Sequence, residues 1–527
     1  MTRRTLTLIG LGLVVLYLLA INDHWSVRPD SGLYLTLGRS LAEGRGMAFN
    51  GGQWWGIPPV VPLLVAGCHV LVGEHLWLIN AVMSLFGLGV VLLTYLTATR
   101  LSADLPESVR AGLAPAVLLV VGTSGRLFID STRVLTDVPF TFFVMLGLYA
   151  WVRARDGHWA WVAAGAVALL AATMTRIVGP VFVVAMGAAL VLDAARRGDR
   201  TRRVAAALGG MAVVAVGFGL WVVCVRSRAE VGSVDYLEPR HLALFNLLAP
   251  SKWREVCDGL LALPAAVTST IVYQKLPWVN LVPTGLMVVG LWVAARRRQW
   301  LVVLPILVYV AFLLALGGAT ASRYLLPVMP LLAYALLVGV QTVAAWLRKR
   351  RPPGPGAAPD RRRLALAVAV GLCAAVSLAR VGRTVYWARH PQFDEVLEHG
   401  KWQGLLDASR YVGERGRPGR DRVLAHDLYI VHYVSRLETV TQISWQGKPA
   451  EHQTDVPPGA FAEVAVAGGY RFVIVPTDRD GWSGAAADAL RATGRFTDPP
   501  HTVADMAVYE RLTPGPPSPK PTNGGTP

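Results

Sequence analysis

Hydrophobic and polar positions divide this chain into two regimes. Through the first 381 positions, long apolar runs alternate with short polar breaks. Runs of roughly 15–23 apolar residues are the length of a helix that crosses a bilayer. Eleven such spans are predicted: 5–21, 75–98, 111–125, 138–152, 158–175, 177–194, 203–225, 277–294, 299–317, 325–346 and 363–381. A twelfth apolar stretch, 58–73, carries Pro58, Pro59 and Pro62 at its start, where they break it from what precedes. After residue 382 the pattern changes. Residues 392–416 and 428–437 read as helix, RVLAHD (422–427), ETVTQI and YRFVIVPTD (470–478) as strands, AAADALRAT as helix and MAVYERL as a last strand. Strands alternating with helices predict a small α/β domain over 382–512. His426, Asp427 and Asp478 stand at its strand ends, where turn-forming is the plainer role for polar residues. The tail 513–527, rich in proline and glycine, reads as disordered.

Composition agrees with a polytopic helical membrane protein. Of 527 residues, 53% are hydrophobic and 16% charged, and mean hydropathy is +0.43. The net charge of +17 therefore points to basic cytoplasmic turns rather than to nucleic acid. Those turns also place the doubtful stretch. If 58–73 lies in the interface or re-enters without crossing, nineteen Lys/Arg residues fall in the cytoplasmic turns and ten on the opposite side. If it crosses, the nineteen move outside, against the positive-inside rule. On this reading the N-terminus is inside, 22–74 and 226–276 are outer loops, 347–363 is a cytoplasmic linker, and the α/β domain is extracytoplasmic. Cys68, Cys224, Cys257 and Cys373 show neither disulfide nor zinc spacing.

Candidate chemistry gathers on the outer side. Asn22 to Gly67 is the densest polar and aromatic stretch of the first half. Leu33, Leu37 and Leu41 recur on one helical face behind Asp30 and Ser31, the expected N-cap residues, and Trp54-Trp55 suits a headgroup-level anchor. A connecting loop with a capping Asp is the plainer reading of the same residues. Ionisable residues at span ends are costly to bury and are functional candidates. Here they are Arg28, Asp30, Arg133, Asp137, Arg176 and Arg323. Two carboxylates and several arginines on one face suit a polar pocket for an anionic group, because a guanidinium grips phosphate bidentately.

The segments PDSGLYLTLGRSLAEGRGM (29–47), PPVVPLLVAG (58–67), STRVLTDVPFTFF (131–143) and SRYLLPVMPLLA (322–333) resemble the GT-C glycosyltransferases. The nearest group is the polyprenyl-phosphate-sugar-dependent one, which includes protein O-mannosyltransferases and the aminoarabinose transferase of lipid A. The resemblance implies transfer of a sugar from a polyprenyl-phosphate carrier to a lipid, glycan or protein acceptor at the outer membrane face, with inversion. Asp30 matches the family's first-loop catalytic carboxylate, in the role of general base. Asp137 matches the region of a second acid, which positions the acceptor or a cation. Arg28, Tyr34, Arg133, Arg176, Arg323 and Tyr324 are the substrate-binding candidates. The family's first loop often has two adjacent acids, whereas Ser31 follows Asp30 here. A divalent cation is thus a possible cofactor that no motif demands. The rival readings are a lipid or solute transporter and a non-catalytic scaffold of envelope assembly. Transporters usually carry internal repeats, and none stands out here.

Overall fold

The computed structural model describes residues 3–512 except 51, 104, 106, 155–157, 195–199, 229–249, 273–279, 317–321, 351–360, 391–399, 426, 441–456 and 478–480. The helical part begins with α1 (Arg3–Leu19), α2 (Pro29–Ala42), α3 (Val60–Val72), α4 (Trp77–Leu101) and α5 (Glu107–Gly122). A short α6 (Gly125–Asp130) leads to α7 (Asp137–Ala154), α8 (Trp159–Thr173), α9 (Gly179–Ala194) and α10 (Arg200–Arg228). Then come α11 (Pro250–Val272), α12 (Leu281–Arg296), α13 (Trp300–Ala315), α14 (Met329–Arg350, after a 3-10 turn at Leu326–Val328) and α15 (Arg361–Arg389). Each predicted span overlaps one of these helices, residues 277–279 and 317 lying outside the described ones. Among the described residues four helices are long and apolar enough to cross a membrane, within α4, α10, α14 and α15; the other apolar helices are shorter.

Three expectations change. A helix, α11, occupies much of the stretch read as an outer loop, because Lys252, Arg254, Glu255 and Asp258 dilute the apolar signal of its first turns. α15 continues past 381 to Arg389, so the domain boundary lies later than the hydropathy suggests. Residues 347–350 and 361–363, expected in a linker, extend α14 and α15. Lys and Arg favour helix as well as they favour water.

The C-terminal part builds a five-stranded mixed sheet. Its strands are β3 (Arg422–Leu424), β4 (Glu438–Val440), β5 (Phe472–Pro476), β6 (His501–Val503) and β7 (Met506–Glu510), in the order β4-β3-β5-β7-β6. β3 pairs in parallel with β4 and β5, while β7 runs antiparallel to β5 and β6. Alternate residues feed two cores, as the two-residue period of a strand requires. Phe472, Ile474, Met506 and Val508 face α16 (Gly400–Arg415) and α17 (Leu428–Ser435). Val473, Val475, Ala507 and Tyr509 face α18 (Pro458–Ala467) and α19 (Gly481–Ala492). Asp427 caps α17 by accepting from the Ile430 N–H at 3.0 Å, whereas His426 and Asp478 lie outside the described residues.

This domain is seated on the first loop of the helical part. That loop contains a minimal hairpin, β1 (Ala48–Phe49) with β2 (Gly52–Gln53). Val27 is buried in the same core as α16 and α17. Arg39 on α2 is ion-paired to Glu74 at 3.2 Å and lies over the Tyr433 ring at 4.7 Å, while Arg436 reaches the same Glu74 oxygen at 2.5 Å. Asn50 accepts from the Thr439 N–H at 2.8 Å and donates to its carbonyl. Two glycines of α2 allow the close approach. A Cβ at Gly32 would stand 2.9 Å from the Tyr429 carbonyl oxygen of α17, and one at Gly38 would overlap Val65 of α3. Gly32→Ala must therefore move backbone rather than a flexible side chain. We expect it to destabilise the chain by about 1–3 kcal/mol. A lowered midpoint in a thermal melt checks this, and an unchanged midpoint contradicts the tight seating.

Candidate active site

The first turn of α2 is set by its sequence. Arg28 is the N-cap, with extended dihedrals (φ −145, ψ 142), and Pro29 supplies the first helical residue, where its missing N–H costs nothing. The expected caps, Asp30 and Ser31, are therefore the second and third residues of the helix, inside its first turn. Ser31 still serves the helix end: its hydroxyl accepts from the Arg28 N–H at 3.2 Å and donates to the Arg28 carbonyl at 2.7 Å. It also accepts from the Trp25 indole at 2.7 Å. One donor and two lone pairs are thus used in full. Asp30 is left with its carboxylate directed outward, 45% exposed, in the first turn, where a negative charge complements the helix dipole.

The partner of Asp30 comes from the far end of the helical part. The Arg323 guanidinium stands 3.5 Å from Asp30 Oδ2, although 293 residues separate them in the chain. Arg323 also donates to the Tyr324 hydroxyl at 3.0 Å and lies over that ring at 4.8 Å. Its turn is pinned from two sides: Thr270 donates to the Ser322 carbonyl at 3.0 Å, and the Tyr309 hydroxyl donates to the Tyr324 carbonyl at 2.7 Å. A cation held in this way is preorganised for an anionic ligand.

Behind this pair lies a second one. Asp137, at the start of α7, has a side chain only 5% exposed and is hydrogen-bonded and ion-paired to Arg176 in the turn between α8 and α9. The Arg176 guanidinium lies against the other side of the network, 5.7 Å from the Tyr324 ring centre and 5.9 Å from that of Phe140. Burial opposes its charge, and Asp137, with the phenols of Tyr309, Tyr34 and Tyr324, more than offsets this and raises its pKa. Arg323 is likewise raised: burial works against it, and Asp137, Tyr324 and Asp30 outweigh that. Both arginines stay charged at any working pH.

The structure thus brings Asp30, Asp137, Arg176, Arg323 and Tyr324 into one network, with Tyr34 beside it. Arg28 enters through its backbone at the N-cap. Arg133 goes elsewhere: it is ion-paired to Asp130 at 3.5 Å and donates to Ser26 at 3.2 Å. Tyr309, Trp25 and the Asp130–Arg126 pair (2.6 Å) brace this region and are not among the candidates the sequence offered. For Tyr309 the available signal was a polar-tipped ring inside an otherwise apolar span. Among the described residues no group of three His, Cys, Asp or Glu side chains could hold a metal ion. The two carboxylates of the network each face a guanidinium, so this donor set does not fit a resident divalent cation.

Residues 48–225 match the model of a family described as dolichyl-phosphate-mannose-protein mannosyltransferase. Asp137 and Arg176 fall inside that stretch, Asp30 and Arg323 outside it. The whole fold is similar to the crystal structure of ArnT from Cupriavidus metallidurans bound to undecaprenyl phosphate. The TM-score is 0.60 at 16% identity, covering 97% of this chain and 98% of that one. The apo state of the same protein gives 0.59 at 16% identity, covering 95% and 97%. The archaeal oligosaccharyltransferase AglB from Archaeoglobus fulgidus, in complex with an inhibitory peptide and a dolichol-phosphate, gives 0.52 at 13% identity, covering 92% of this chain and 72% of that one. No curated protein matches the chain.

Proposed function

We propose that this chain is a glycosyltransferase of the GT-C superfamily, a reading its fold and family match support, and that it moves a sugar from a polyprenyl-phosphate carrier to an acceptor hydroxyl at the outer face of the membrane. The observation that carries the reading is the Asp30–Arg323 couple, a half-exposed carboxylate beside a pinned guanidinium. Asp30 takes the proton of the acceptor hydroxyl as its oxygen attacks the anomeric carbon. The bond from that carbon to the phosphate oxygen breaks on the opposite side. One displacement inverts the anomeric centre, and polyprenyl phosphate leaves with the extra negative charge. That charge needs a cation more than a proton, and Arg323 supplies it, with Arg176 behind. Arg28 and Tyr34 flank the site, and Asp137 positions Arg176.

The topology of this reading has eleven spans over 1–381 with 58–73 lying in the interface, the N-terminus inside and the 382–512 domain outside. The basic turns support it, since the opposite topology exposes the nineteen cytoplasmic cations. Native mass spectrometry of the detergent-purified chain tests the donor. Wild type is expected to carry a polyprenyl-phosphate species, and Arg323→Ala to lose about 10–100-fold in its affinity, the worth of a charge-assisted hydrogen bond. Ordinary phospholipids alone in both proteins, even after adding polyprenyl phosphate, would sink the reading.

A further inference from the structure

The direction of Arg323 is set from two other helices. A peptide group is planar, so a hydrogen bond to its carbonyl also fixes the N–H of the next residue. The Ser322 carbonyl shares a plane with the Arg323 N–H, and the Tyr324 carbonyl shares one with the Leu325 N–H. The first accepts from the Thr270 hydroxyl at 3.0 Å and the second from the Tyr309 hydroxyl at 2.7 Å. Thr270 stands in the last turn of α11, and Tyr309 lies inside α13. The two planes bracket Arg323 and Tyr324, so they hold the backbone from which the guanidinium extends. The side chain itself is loosely held. It is 34% exposed, and its 3.5 Å approach to Asp30 lies beyond the usual hydrogen-bond range. The Tyr324 hydroxyl that it bonds at 3.0 Å belongs to the same turn and moves with it. The aim of Arg323 therefore comes from its backbone.

Both anchors are buried and are themselves braced. The Thr270 carbonyl is among the last four of α11, which have no partner within the helix. The Ser124 hydroxyl, at the N-cap of α6, donates to it at 3.0 Å. The Tyr309 ring packs against Phe182 of α9 at 4.7 Å. Thr270 has one hydroxyl hydrogen and two carbonyls within reach, Ala266 on its own helix at 2.7 Å and Ser322 at 3.0 Å. The Ala266 carbonyl already receives the backbone N–H of the helix. Given to Ser322, the hydroxyl hydrogen ties α11 to the Arg323 turn.

We propose that Thr270 and Tyr309 are positioning residues of the transfer reaction, which aim Arg323 at the phosphate departing from the sugar. The role rests on the transferase reading of the site. Both residues act through the backbone of Arg323 and not by contact with the substrate.

Removing the Thr270 hydroxyl leaves neither carbonyl bare, because Ser322 still accepts from the Leu325 N–H at 3.3 Å and Ala266 from its helix. Thr270→Val is therefore expected to fold and to melt close to wild type. Native mass spectrometry of the full chain with added undecaprenyl phosphate measures the role. Affinity is expected to fall about 2–10-fold in Thr270→Val and in Tyr309→Phe, the worth of one hydrogen bond, and to recover in Thr270→Ser. In an Arg323→Ala background, Thr270→Val is expected to change the affinity no further, because the group it aims is gone. The same loss with and without Arg323 would mark a merely structural role and overturn the proposal. Binding that needs Arg323 but neither Thr270 nor Tyr309 overturns this role alone. A wild-type chain that binds no undecaprenyl phosphate overturns the donor reading and this role with it.

Discussion

Asp30→Asn is expected to fold, to bind the carrier lipid and to transfer no sugar. The amide has the size of the carboxylate and can still hydrogen-bond, but it cannot take the acceptor's proton. A general base typically contributes about 10²–10⁴-fold, so turnover is expected to fall by at least that factor. Folding is spared because the Asp30 and Arg323 side chains are 45% and 34% exposed. Ion pairs exposed to that degree are worth about 0–1 kcal/mol. Turnover and thermal midpoint measured on one preparation separate the two effects. Wild-type turnover in a folded Asp30→Asn chain removes Asp30 from the chemistry.

The second large effect is expected at Arg176. Its partner Asp137 is almost wholly buried. Arg176→Ala leaves that carboxylate uncompensated, and breaking a buried pair from one side costs about 3–5 kcal/mol. Asp137→Ala strands the arginine and costs a similar amount. Removing both side chains together, as Asp137→Ala with Arg176→Ala, is expected to cost less than the two single changes summed, with a coupling above about 1 kcal/mol. The shift of thermal midpoint along this four-protein cycle is the measurement. If Arg176 served only the lipid phosphate, Arg176→Ala would melt like wild type, and additive single changes would contradict the structural pairing.

How far the sequence carried this account depends on the range of each interaction. The spans were legible because apolar length and helical period are local, and Asp30 stood out because the residues following it form an obvious helix. The cap differs from the expected one because Pro29 starts the helix one residue before Asp30 and moves the N-cap to Arg28. α11 was hidden by the charges of its first turns. Arg133 stands four residues before Asp137, yet it pairs with Asp130, three residues earlier, and stays out of the network. The contacts that build the network join residues distant in the chain. Nothing in local spacing pairs Asp30 with Arg323, Asp137 with Arg176, or Glu74 with both Arg39 and Arg436. Those pairings arise from the packing of helices, and candidate lists from sequence can name their members but not their partners.

The most direct test of the central claim follows the sugar itself. The purified chain is incubated with a bacterial membrane extract and polyprenyl-phosphate sugar labelled in the sugar. Free polyprenyl phosphate and labelled acceptor are then measured together, with Asp30→Asn as the comparison. The account predicts that wild type releases one polyprenyl phosphate for each label transferred, and that the variant releases none. Label that remains on the carrier with wild type, or equal transfer by both proteins, contradicts it.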